Sequence, residues 1–217
     1  MKHATPEAIA AVIPSLGGRE IGPFLRSLAQ QVPEQGHVVE LGAWLGAGSA
    51  QLALGLMKAD RGAVLNCYDR WAAPTPDETA AAAAQGMELI AGMNTLPLAE
   101  EALSWMEAPA RFRRGEIGAA HWDGAPIALH VDHMDDDSLA VSHALRTFGP
   151  SWMAGQCVVV FMGMAEAPEI AARRGCPRAR LMLENPDSFR EVFADLGPRC
   201  RAWFYARPCR SEAWVGG

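Results

Sequence analysis

The sequence predicts an α/β domain: a mostly parallel seven-stranded sheet with helices on both faces, a three-layer sandwich. Three observations lead there. Short apolar runs recur, each closed by Gly or Asp and followed by a helical pattern; such alternation threads parallel strands through crossover helices. A glycine-rich turn, residues 42–48, follows the first run and opens a helix. Three carboxylates, Glu40, Asp69 and Asp132, fall at the carboxyl ends of predicted strands, where open parallel sheets take ligands.

The elements follow in order. Residues 37–41 read as the first strand and 49–58 as the helix after the turn. Residues 63–68 form a second strand ending at Asp69, and 110–114 a short third strand ending at Gly115. Residues 127–131 form a fourth, ending at Asp132. A helix is expected over 138–148, with Asp137 as its N-cap, because a short oxygen-bearing side chain satisfies a free helical N–H. The fifth strand, 157–161, follows the turn Ala154-Gly155-Gln156, and the tail offers two more strands, 200–206 and 212–215. Between Trp71 and Pro109 lies a segment too long for an ordinary connection. Its helical character, interrupted by Pro74, Pro76, Gly86 and Pro97, predicts helices that form a lid-like insertion at about 72–109 in a single domain spanning the chain.

Composition narrows the function classes. The chain has 217 residues, half of them hydrophobic and a fifth charged, as in ordinary globular proteins. The formal net charge is -6, and the basic residues are scattered, with local groups at Arg111, Arg113, Arg114 and at Arg173, Arg174, Arg178, Arg180. Nucleic acid is therefore not an expected partner. Five cysteines without a C-x-x-C pair signal neither a disulfide framework nor a zinc ribbon, and a cytoplasmic setting fits. The first fifteen residues carry Glu7, Pro6 and Pro14 and read as neither a signal peptide nor a membrane span.

Taken alone, the turn Gly42-Ala43-Trp44-Leu45-Gly46-Ala47-Gly48-Ser49 is either a plain tight turn or a cradle for a ligand. It is no P-loop, since no Gly-Lys-Ser/Thr follows. Gln51 stands where a dinucleotide fingerprint needs a small residue. Glu40 reads as a strand-end polar residue or a ligand holder, Asp69 as a turn former, a partner of Arg70 or a ligand holder, and Glu116 as a solvated turn residue or part of a site. Trp44 and Trp71 could wall a ligand; ordinary packing serves for the other five tryptophans.

The set as a whole resembles the class I S-adenosylmethionine-dependent methyltransferases. Glu40-x-Gly42-x-x-x-Gly46-x-x-Ser49 resembles their motif I, and Tyr68-Asp69-Arg70-Trp71 the end of their second strand. Arg114-Gly115-Glu116 resembles the adenine-side turn, residues 127–132 the fourth strand, and residues 152–161 the approach to the fifth. The order is kept from about Gly36 onward, and the subgroup most resembled is that of macrocin O-methyltransferase. The resemblance implies a Rossmann-like fold, S-adenosylmethionine as cofactor and a small-molecule acceptor, with a homodimer as a candidate assembly. It implies that Glu40, Gly42, Ala43, Trp44, Gly46, Ser49, Asp69, Arg70 and Glu116 line the cofactor. Asp69 would accept from the ribose hydroxyls, Glu40 would hold the amino group, and Glu116 would lie near adenine.

The sequence departs from the subgroup at the reacting end. Many such relatives hold a divalent cation with one aspartate after the fourth strand and a pair after the fifth. Asp132 keeps the first position, but Met162-Gly163 replace the pair, so no metal site is expected. Met134 stands where those relatives carry a catalytic base. Asp132 and His133 are the catalytic candidates, with His133 suited to take a proton near neutral pH. Asp135, Asp136 and His143 lie nearby; the aspartate run reads more simply as a helix N-terminus, and His143 as a helix residue. A transition-metal site from His130, Asp132 and His133 is disfavoured because successive strand residues face opposite sides. The expected function is metal-independent methyl transfer to a small molecule, with oxygen as the acceptor atom. The alternatives are a non-catalytic protein that binds the same cofactor and, against the incomplete fingerprint, a nucleotide-dependent oxidoreductase.

Overall fold

The computed structural model describes residues 4–18, 20–72, 74–134, 138–164, 166–193 and 200–214. Seven strands occur among them: β1 (His37–Leu41), β2 (Leu65–Asp69), β3 (Ala110–Arg114), β4 (Ile127–Asp132), β5 (Cys157–Met162), β6 (Phe189–Phe193) and β7 (Cys200–Tyr205). The sheet order is β3-β2-β1-β4-β5-β7-β6. The pairs β2–β3, β1–β4 and β4–β5 are parallel, while β7 runs antiparallel to both β5 and β6. The expected mostly parallel seven-stranded sheet is what the chain forms. It divides into two compact units, Met1–Glu34 with Gly42–Gly115, and Gln35–Leu41 with Glu116–Gly217.

The first unit holds β2, β3 and the helices α1 (Pro6–Val12), α2 (Gly22–Ala29), α3 (Ala47–Ala59), α4 (Pro76–Ala84) and α5 (Leu96–Trp105). Helix α3 starts two residues earlier than expected because Gly46, at φ +87°, turns the chain directly into it. Its run of Ala, Leu and Met favours helix, and Leu52, Ala53, Leu54 and Leu56 are buried. Gly55 admits the neighbouring α2: a Cβ there would lie 2.4 Å from the Arg26 carbonyl oxygen and 2.6 Å from the Ala29 Cβ. Helix α4 begins at a capping box. The Thr75 hydroxyl accepts from the Glu78 N–H at 3.2 Å, and the Glu78 carboxylate accepts from the Thr75 N–H at 2.6 Å, satisfying two amides that a helix start leaves free. Helices α4 and α5 occupy the segment where helices were expected. Strand β2 begins at Leu65, two residues later than expected.

The second unit holds β1, β4, β5, β6, β7 and the helices α6 (Ser138–Phe148), α7 (Pro168–Arg173) and α8 (Pro177–Glu184). Every residue of β4 is buried, as a central parallel strand requires. Asp137, the expected cap of α6, lies outside the described residues, as do Asp135 and Asp136.

The tail corrects one expectation. Residues 211–214 form a 3-10 turn in place of a strand, and Val215 lies outside the described residues. Trp214 turns inward, where its ring meets Trp152 edge-on with centroids 5.7 Å apart. That packing competes with extended pairing for so short a run. The remaining strand is β6, where Arg190 lies over the Phe204 ring at 5.3 Å and Glu191 pairs with Arg201 at 3.2 Å.

Candidate functional site

In the first unit, the chemistry gathers where β2 ends. Asp69 accepts the Trp44 N–H at Oδ2 (2.8 Å) and the Trp71 N–H at Oδ1 (2.7 Å). The indole N–H of Trp71 donates to the Trp44 carbonyl at 2.7 Å. One carboxylate thus ties the glycine turn to the loop after β2, and the Gly42 N–H adds a bond to the Tyr68 carbonyl at 2.8 Å.

Both tryptophans pay a conformational cost. Trp44 has φ +48° and Trp71 φ +41°, a left-handed region that bulky residues avoid. Strain of this kind, about 1–3 kcal/mol per residue, persists where the surroundings over-determine it. Here the Asp69 carboxylate and the Trp71–Trp44 bond do so, and Trp71 also packs edge-on against Phe112 at 5.5 Å. Burial raises the Asp69 pKa above its ordinary value, opposed by the bonds from Trp71 and Trp44. The indole N–H of Trp44 is buried and has no hydrogen-bond partner among the described residues.

The other proposed cofactor residues take varied places. Ser49 is fully buried, and its hydroxyl accepts from the Cys67 thiol at 3.4 Å. Ala43 is buried, while Arg70 and Glu116 are exposed. Gly46 lies against α5, where a Cβ would stand 3.3 Å from Leu103 Cδ1.

In the second unit, β1 and β4 end side by side, with Leu41 opposite Asp132. Asp132 is almost wholly buried and engaged on both oxygens. Oδ2 accepts from Arg178 Nε at 2.9 Å and Oδ1 from the Met134 N–H at 2.9 Å. Arg178, on α8, is itself fully buried, donates to the Met134 carbonyl at 3.0 Å and lies over the Phe161 ring at 5.5 Å. Sequence reasoning noted Arg178 only as one member of a basic group; nothing in the short run Pro177–Glu184 marks it for burial over its neighbour Arg180.

His133 follows β4, and its ring Nε2 lies 3.1 Å from Glu40 Oε1. The structure therefore brings together Glu40 and His133, expected to serve cofactor and acceptor respectively. His143 stands on α6 with its ring Nε2 3.0 Å from the Ala120 carbonyl. His130 is buried among Phe148, Trp152 and Phe161. Burial lowers its pKa from 6.5 to about 4, with Arg178 adding to the shift and Asp132 opposing it. Among the described residues no group of three or more His, Cys, Asp or Glu side chains is arranged to hold a metal ion, and no helix is long and apolar enough to cross a membrane.

No protein-family model matches the chain, and no curated protein matches it by sequence. Solved structures do match. The chain is similar to the O-methyltransferase NovP, at TM-score 0.61 and 14% identity, covering 88% of this chain and 81% of that one. It is similar to the calicheamicin methyltransferase CalS11, at TM-score 0.57 and 12% identity, covering 86% and 77%. It is also similar to the S-adenosylhomocysteine-bound methyltransferase PaMTH1 of Podospora anserina, at TM-score 0.56 and 11% identity, covering 93% and 82%. At these identities the likeness is one of architecture: the chain has the Rossmann-like fold of the class I methyltransferases that its sequence resembles.

Proposed function

We propose that the chain is an S-adenosylmethionine-dependent methyltransferase acting on a hydroxyl of a small-molecule acceptor without a divalent cation. The observation that carries this reading is the Asp69 carboxylate between Trp44 and Trp71. Each oxygen accepts one backbone N–H, and a carboxylate oxygen can accept two hydrogen bonds, so both retain a lone pair for ribose hydroxyls. The residues fit the cofactor in a second respect. The buried Trp44 indole N–H lacks a partner, and buried donors are almost always satisfied, so a bound ligand is its natural acceptor.

Gly42, Ala43, Gly46 and Ser49 are the proposed motif I residues around the methionine end, with Arg70 toward the adenosine. When bound, the cofactor supplies a methyl group already activated by its sulfonium. The protein then needs chiefly to orient the acceptor, exclude water and receive a proton. His133 is the proposed receiver, while Asp132 holds Arg178 and the Met134 amide. Independence from a cation is supported by that same ion pair: Arg178 engages the one carboxylate left of the relatives' ligand set.

Calorimetry with S-adenosylhomocysteine and NAD, followed by methyl-transfer assays on a panel of hydroxylated compounds with a chelator present, tests the proposal. Binding of S-adenosylhomocysteine with turnover is expected. Binding without turnover on any acceptor would favour a non-catalytic protein, and binding of NAD alone would overturn the cofactor assignment.

A further inference from the structure

We propose that Glu40 and His133 act as a carboxylate–imidazole pair, in which Glu40 positions the ring so that Nδ1 takes the acceptor's proton. The inference rests on the methyl-transfer reading and deepens it, because the resemblance to known methyltransferases implied a cofactor role for Glu40 and none toward His133.

The geometry is built by the backbone first. Strands β1 and β4 pair in parallel through Leu41 and Asp132. The His133 N–H then donates to the Leu41 carbonyl at 2.9 Å, which extends the ladder one residue past β4 and fixes where the ring begins. From there Nε2 reaches Glu40 Oε1 at 3.1 Å. The two side chains differ in exposure, 1% for Glu40 and 19% for His133. The pair therefore has a buried anchor and an accessible ring.

A buried carboxylate is stabilised as the anion by donors. Nε2 accordingly carries the hydrogen toward Glu40, and the neutral ring keeps its lone pair on Nδ1. Nδ1 has no hydrogen-bond partner among the described residues. Asp132 is engaged by Arg178 and by the Met134 amide, so it does not compete for the ring. A carboxylate behind a histidine fixes both tautomer and orientation. In the reaction, the acceptor oxygen forms a bond to the methyl carbon as the carbon–sulfur bond breaks. The electron pair stays on sulfur, and the acceptor's proton passes to Nδ1. Glu40 remains a carboxylate throughout and is a positioning residue, not a catalytic one.

Long-range 15N–1H correlation spectra of the histidine rings test this, with His133 assigned through His133→Gln. Wild-type protein is expected to show neutral His133 protonated at Nε2. Glu40→Leu, which cannot accept a hydrogen bond, should give a tautomer mixture, and Glu40→Gln, whose amide oxygen can accept one, should restore the Nε2–H form. Turnover should fall about 10- to 100-fold in Glu40→Leu, the scale seen when an orienting partner is removed, with the dissociation constant for S-adenosylhomocysteine within about twofold of wild type. An Nδ1–H tautomer in the wild type, or a tautomer unmoved by Glu40→Leu, overturns the pair even if methyl transfer is intact. A loss of cofactor affinity as large as the loss of turnover overturns the positioning role and makes Glu40 a cofactor anchor. Wild-type protein that keeps the Nε2–H tautomer yet methylates nothing overturns the proton-transfer role together with the methyl-transfer reading.

Discussion

Arg178 on α8 donates from Nε to Oδ2 of Asp132 at 2.9 Å, with side-chain exposures of 0% and 1%. Removing one member of such a pair leaves a buried charge uncompensated, at a cost of about 3–5 kcal/mol, whereas replacing both with apolar groups of similar volume is often neutral or better. Arg178→Ala is expected to lower the unfolding free energy by that amount in urea titrations. The double variant Arg178→Met/Asp132→Leu should recover most of it. If the double variant is as unstable as the single one, the loss comes from packing around Phe161 and not from the unpaired Asp132.

The same pair sets an expectation for divalent cations. A ligand raises the melting temperature only by binding the folded state preferentially, and Asp132 is already held by a guanidinium and by the Met134 amide. Millimolar Mg²⁺ should leave the melting temperature of the wild type unchanged, and chelation should leave turnover unchanged. A Mg²⁺-dependent rise that Asp132→Ala abolishes would contradict both the ion-pair argument and the metal-independent reading.

Much of the architecture is legible from local pattern, and the exceptions have local reasons. Strands β1, β4 and β5 announce themselves because they are buried apolar runs bounded by turns. Strand β6 does not: Phe189-Arg190-Glu191-Val192-Phe193 lies at the sheet edge, where charged side chains are tolerated and blur the apolar signal. At the site, Asp69 is visible as a carboxylate closing a strand. Its bonds to Trp44 and Trp71 depend on left-handed tryptophans that no propensity favours. The Asp132–Arg178 and Glu40–His133 contacts join residues 46 and 93 positions apart. No periodicity reports such separations; only the register of β1 against β4 and the return of α8 create them.

Asp69 has two tasks that one variant can expose together. Asp69→Ala removes the acceptor proposed for the ribose hydroxyls, and the affinity for S-adenosylhomocysteine should fall by about 1.5–3 kcal/mol, the scale of hydrogen bonds to a charged group. It also frees the N–H groups of Trp44 and Trp71 from the carboxylate that holds them. Near-ultraviolet circular dichroism should therefore change in the tryptophan region while far-ultraviolet spectra stay native. Undiminished affinity in a folded variant would remove the ribose assignment. Lost affinity with unaltered tryptophan signals would separate ligand contact from loop ordering.

His130 makes stability depend on pH in a definite direction. Its ring is buried against Phe148, Trp152 and Phe161, its Nδ1 has no partner among the described residues, and burial lowers its pKa from 6.5 to about 4. Below about 6.5 the unfolded chain takes up a proton that the folded ring refuses. The unfolded state is then favoured, and the folded state loses stability as pH falls from about 6.5 to about 4. Below that both states are protonated and this contribution no longer changes. A displacement of this size corresponds to about 3 kcal/mol in total, and to about 2 kcal/mol between pH 6.5 and 5. Other groups titrate in that window, so the measurement must be a difference. Urea unfolding of wild type and of His130→Phe at pH 7.5 and pH 5 supplies it. The phenyl ring suits the aromatic surroundings and cannot titrate, and any overpacking cost is present at both pH values and cancels. Wild type should lose about 2 kcal/mol more than the variant on acidification. Parallel losses would mean that His130 titrates alike in both states, through water reaching the ring or a proton held by Asp132, and would overturn its assignment as a neutral core histidine.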